Sequence, residues 1–183
     1  MCFKQRAKLT IMINLHQSFL TKNLASWGPI LLLFISVLNE FDFNYLGMDF
    51  FSFNFAYILI FYWSLKRIDF FGYGMVCISG VINDVVVGLP IGTSSLSYML
   101  ICVAATYLRS ITLRPDIFKD WFFFLLTISI VNSIVFSILN LIFFYNLEYF
   151  NFVINTFFTF SLYILFSYLF NIYYKLLIGK SNV

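Results

Sequence analysis

From Trp121 to Tyr145 the chain runs 25 residues without a charged side chain, and from Phe150 to Tyr174 it does so again over 25 more. A helix crossing the hydrocarbon core of a bilayer needs about 20 apolar residues, whereas a strand of a membrane barrel needs only about 10. In lipid every backbone N–H and C=O must find a partner, and a helix supplies those partners within the segment. These two stretches therefore predict spanning helices. Composition extends the reading to the whole chain. Of 183 residues, 62% are apolar and 10% charged, against about 45–50% and about 25% in soluble domains. Mean hydropathy is +0.92. A single soluble core of this size cannot hide so much Phe, Leu and Ile from water.

Short polar breaks divide the chain into six apolar stretches, at about 25–46, 50–65, 70–89, 91–108, 121–145 and 150–174. The expectation is an all-α membrane protein, a compact bundle of six transmembrane helices forming one integral domain over residues 1–183. The first stretch is the shortest in its clean part, Gly28 to Leu38, about 16 Å of helix. That length also suits the apolar region of a signal peptide. However, 27 residues precede it, and Asn39-Glu40-Phe41-Asp42 follows where an Ala-x-Ala-like cleavage site would stand. An uncleaved first helix is expected.

Charge placement gives an internal check. With the N-terminus inside, six spans put Lys4, Arg6, Lys8, Lys22, Lys66, Arg67, Arg109, Arg114, Lys119, Lys175 and Lys180 in the cytoplasm, which is all 11 basic residues. The opposite loops carry only Glu40, Asp42, Asp49 and Glu148. Such a separation follows the positive-inside rule, and losing one helix would scramble it. Both termini are then cytoplasmic, and the net charge of +3 reflects topology and attraction to anionic membrane lipids. Nothing in it calls for nucleic acid.

Motifs of catalysis are lacking in the sequence. It holds no phosphate loop, no His-Glu-x-x-His, no Gly-x-Ser-x-Gly and no paired carboxylates, so no enzyme and no cofactor is expected. The single histidine, His16, lies in a polar N-terminal arm without companion metal ligands. Cys2, Cys77 and Cys102 are widely spaced, and the latter two sit in apolar runs where free Cys behaves as a small hydrophobe.

The polar residues inside the spans carry more. Asp84 is the one clear ionisable group there, and such groups are costly and face the bundle interior. Gly80, Asp84 and Gly88 recur every four residues on one helical face, with Gly72 in the same row and Ser79 and Asn83 beside it. Small residues allow close helix approach, and Asn83 and Asp84 can hydrogen-bond across the contact. Helix packing or partner binding is one reading of this seam. Proton relay, cation binding or a substrate site at a broken helix is another, though a coupled site usually needs a second ionisable group. Gly88-Leu89-Pro90-Ile91-Gly92 reads as a tight turn. After it, Thr93, Ser94, Ser95 and Ser97 open the fourth span with hydroxyls suited to capping a helix. Ser129, Ser133, Ser137 and Asn140, with Asn132 adjacent, stripe the fifth span; Thr156, Thr159, Tyr163, Ser167 and Asn171 stripe the sixth. Both stripes are expected to pack against neighbouring helices rather than line a pore, though Asn-rich stripes leave room for a polar internal cavity.

Phe50 to Arg109 resembles the rod shape-determining protein MreD family of bacteria. The likeness rests on an aromatic second span ending in Tyr62-Trp63-Ser64-Leu65-Lys66-Arg67, then Gly80-x-x-x-Asp84-x-x-x-Gly88 and the turn Leu89-Pro90-Ile91-Gly92. Asn83 and Ser95-Leu96 depart from the usual family residues. The resemblance implies a non-enzymatic subunit of the cell-elongation machinery in the bacterial inner membrane. Its partners would be an MreC-like periplasmic scaffold, an MreB-like actin filament and the cell-wall glycosyltransferase and transpeptidase. Gly80, Asn83, Asp84, Gly88, Pro90 and Gly92 would be the packing or partner-binding residues. The family is also similar to the six-helix substrate-binding components of energy-coupling-factor transporters, which gives the alternative of a vitamin or small-molecule carrier.

Overall fold

In a computed structural model of the chain, the residues described are 28–38, 53–66, 72–112, 116–144 and 149–178. Cys2, His16, residues 39–46 of the first expected span, and Arg67, Arg114, Lys180 and the acidic residues of the expected outer loops lie outside them. Among the described residues there are six helices and no strand: α1 (Gly28–Leu38), α2 (Phe55–Lys66), α3 (Tyr73–Val87), α4 (Thr93–Ile111), α5 (Ile117–Leu141) and α6 (Tyr149–Ile178). Three are long and apolar enough to cross a membrane: α4, α5 and the Phe152–Lys175 part of α6. The helices α1, α2 and α3 are apolar but shorter; the 12 residues of α2 reach about 18 Å.

The shortness of α2 goes with its place at the centre. Every residue from Ala56 to Ser64 is buried, so the helix has no outward face, and its sequence is apolar around the whole circumference as enclosure requires. Phe61 meets Phe124 of α5 and Tyr163 of α6, at centroid distances of 5.0 and 5.8 Å. Tyr57 meets Tyr98 of α4 edge-on at 5.8 Å. The outer surface is apolar as well, with Val85, Val103, Ile130, Phe157 and Tyr168 all exposed. An apolar outside around an apolar inside is stable in lipid, not in water.

Contacts along the helices give their relative directions. Phe55 meets Phe166 while Trp63 meets Tyr173, so α2 and α6 run the same way. Asn132 meets Thr156 while Phe136 meets Phe152, so α5 and α6 run oppositely. Tyr57 faces Tyr98 and Ser64 faces Cys102, which makes α2 and α4 parallel. Gly28 at the start of α1 lies against the Tyr173 hydroxyl near the end of α6. It follows that Lys66, Arg109, Lys119 and Lys175, the four basic residues described, sit at one end of the bundle.

Both boundaries of α5 differ from expectation, and the other helices are offset from theirs by one to five residues where both ends are described. The fifth helix begins at Ile117, four residues before the expected 121, because the Asp116 side chain accepts the Phe118 N–H at 3.3 Å and caps the helix. It also ends at Leu141, before 145, and Phe144 beyond it has φ 52°, in the left-handed region that does not resume a helix. Asp120, just outside the expected span of 121–145, is consequently inside α5 and buried.

Candidate functional site

The seam between α3 and α4 is built around Asp84, whose side chain is fully buried. Gly88 ends α3 in the left-handed region, φ 76°, and its N–H and that of Leu89 both return to the Asp84 carbonyl. That closure turns the chain through Pro90 and starts α4 behind Gly92, which has φ 106°. A helix start leaves backbone N–H groups without partners, and Gly92 has no side chain to offer them. The Asp84 carboxylate supplies the need from the preceding helix. Its Oδ2 accepts the Gly92 N–H at 2.7 Å; its Oδ1 accepts the Ser94 N–H at 2.8 Å and the Thr93 hydroxyl at 2.9 Å.

This is an N-cap made in tertiary structure. The negative charge lies at the positive end of the α4 dipole, and charge-assisted bonds to backbone N–H groups are about twice as strong as neutral ones. The hydroxyls expected to cap α4 do other things. Thr93 donates to Asp84 and is also placed to donate to the Pro90 carbonyl, while Ser97 donates back to the Thr93 carbonyl. Along the same seam Asn83 Nδ2 donates to Ser94 Oγ at 2.9 Å, and Cys77 Sγ lies 3.0 Å from Ser95 Oγ. Gly80 is where the two backbones touch: a Cβ there would run into Cα and N of Ser95. Gly72 and Gly88 have open space beside them, so the close approach belongs to Gly80 alone within that row.

No family model matches this chain, and neither a curated protein nor a solved structure does.

The structure thus brings Gly80, Asn83, Asp84, Pro90 and Gly92 into one contact, with Gly88 as the exposed helix stop that shapes it. Chemically, the Asp84 carboxylate is spent on three internal donors and closed to solvent. It ties two helices, and full burial keeps its remaining acceptor capacity away from solvent. Among the described residues no group of three His, Cys, Asp or Glu side chains could hold a metal.

The two polar stripes part company. On α6, Thr159, Tyr163 and Ser167 face inward, and Thr159 accepts the Asn54 N–H at 3.0 Å. On α5, Asn132 donates to Thr156 of α6 at 2.7 Å, but Ser129, Ser133, Ser137 and Asn140 are exposed. The expected packing of that α5 stripe against another helix of this chain is therefore corrected: the inward face of α5 is Phe124, Ile128, Val131, Val135 and Leu139. Asp120 is the polar residue that sequence reasoning missed. Its signal was Asp116 followed by apolar residues, an N-cap pattern that moves the helix start upstream.

Proposed function

We propose that this chain is a non-enzymatic, multi-pass subunit of the bacterial cell-elongation complex, resident in the inner membrane and supporting peptidoglycan synthesis and cell shape through protein contacts. The observation that carries the reading is the use made of Gly80, Asp84 and the Leu89-Pro90-Ile91-Gly92 turn. Of the residues through which the sequence resembles the MreD family, Gly80, Asp84, Gly88 and the turn after them form a helical hairpin whose one buried acid serves packing. A carboxylate so engaged favours an assembly role over proton or substrate handling. Six passes with cytoplasmic termini are part of the proposal; the gathering of Lys66, Arg109, Lys119 and Lys175 at one end supports it through the positive-inside rule.

Depletion in a rod-shaped host tests the function. Rods should become spheres, and the tagged protein should co-purify with the MreC-like scaffold and the wall synthases. Unchanged shape on full depletion would refute the proposal. Cysteines placed at Lys119 and at Phe144 test the topology: a membrane-impermeant thiol reagent added to whole cells should label the second and spare the first.

A further inference from the structure

A second carboxylate is enclosed at the basic end of the bundle. Phe61 of α2, Phe124 of α5 and Tyr163 of α6 form one aromatic layer, with Phe124 stacked on Tyr163 at 4.4 Å. Because α2 and α5 run oppositely, one turn beyond that layer brings Leu65 and Lys66 level with Asp120. Asp120 is 9% exposed and its Oδ1 has no hydrogen-bond partner; the Tyr62 hydroxyl, on a residue 3% exposed, lacks one too. Buried acceptors in native proteins are almost always satisfied, so an orphan requires a reason. One is at hand. The Lys66 ammonium lies over the rings of Tyr62 and Tyr174, 5.9 and 6.0 Å from their centroids, on the turn of α2 that stands level with Asp120. Its four-carbon stem is long and rotatable enough to move the head group a few ångströms. The other charged groups near Asp120 on its own helix, Asp116 and Lys119, are exposed.

We propose that Lys66 and Asp120 form an internal ion pair that clamps the basic ends of α2 and α5, with the rings of Tyr62 and Tyr174 as the seat of the ammonium. The ammonium supplies the donor that Asp120 Oδ1 lacks, and the aromatic faces hold it where lipid head groups cannot compete. Both charges are then accounted for inside the bundle, and the central helix is fixed in depth at its one charged residue.

Amine acetylation of the full-length protein in detergent micelles, read residue by residue by mass spectrometry, tests the pair. Lys66 should react at least fivefold more slowly than Lys119 and Lys175. In Asp120→Asn the Lys66 rate should rise several-fold while the other two stay constant; an unchanged Lys66 rate overturns the proposal. A double-mutant cycle gives an independent reading. The melting temperature of Lys66→Met/Asp120→Asn should fall no further than that of the worse single variant, and simple addition of the two losses also overturns it.

Discussion

The carboxylate of Asp84 accepts the Gly92 N–H at 2.7 Å across the α3–α4 turn, so the start of one helix is completed by a side chain eight residues earlier in the preceding one. Replacing Asp84 with Leu strands the buried N–H of Ser94 and the half-buried N–H of Gly92, while Thr93 keeps the Pro90 carbonyl as acceptor. At about 1–3 kcal/mol for a buried unsatisfied group, and less for the half-buried one, Asp84→Leu should cost about 2–4 kcal/mol. Asp84→Asn preserves shape and loses charge, so it should cost less, about 1–2 kcal/mol. Titration with SDS in mixed micelles, followed by circular dichroism, ranks the variants. Equal midpoints for Asp84→Leu and the parent protein would rule out the capping role.

The glycines of α3 should separate by mechanism. Gly80→Ala drives a methyl group into the Ser95 backbone and should cost about 1–3 kcal/mol through overpacking. Gly88→Ala meets open space but must hold φ 76°, a strain of about 1–2 kcal/mol. Gly74→Ala, inside the helix with nothing near it, should be neutral or stabilising by up to about 1 kcal/mol. The order Gly74, Gly88, Gly80 in rising cost is the expected outcome of the same SDS titration.

The Asn132–Thr156 bond at 2.7 Å ties α5 to α6, while Thr156 also donates to the Phe152 carbonyl within its own helix. Interhelical hydrogen bonds in membrane bundles average about 0.6 kcal/mol. Thr156→Val and Asn132→Leu should accordingly couple by about that much in a double-mutant cycle, a small value that a coupling above about 2 kcal/mol would contradict.

Trp121 both stacks on Phe160, centroids 4.3 Å apart, and donates from Nε1 to the Phe160 carbonyl at 3.1 Å. Trp121→Phe keeps a ring and loses the donor, so about 1 kcal/mol should disappear. Trp121→Leu removes the stacked ring as well and should cost about 0.5–1.5 kcal/mol more. Chemical unfolding monitored by helix content checks the difference.

Much of this arrangement is legible in the sequence, for physical reasons that differ by element. Helical character follows from apolar runs too long for strands, and Asp84 stands out because it is the lone acid inside one of them. The turn at residues 88–92 is marked by Gly and Pro. What capped α4 was not legible. Thr93 and Ser94 look like local caps, and only the fold brings a carboxylate from α3 into their place. The α5 stripe fails for a related reason: spacing shows that Ser129, Ser133 and Ser137 share a face, but not whether anything covers it. Asp120 falls just outside the apolar run that begins at Trp121, whereas the decisive residue for the helix start is Asp116.

The enclosure of α2 bears on how the protein is made. A 12-residue helix is too short to cross a bilayer of about 30 Å hydrocarbon thickness unaided, and its charged end, Lys66, resists burial in lipid. Left alone at the translocon it would be a poor insertion signal. Its stable position exists only once α4, α5 and α6 surround it, and those are translated later. The middle of the bundle is therefore the last part to settle during biogenesis, and truncations that stop before α6 should leave α2 accessible to membrane quality-control proteases.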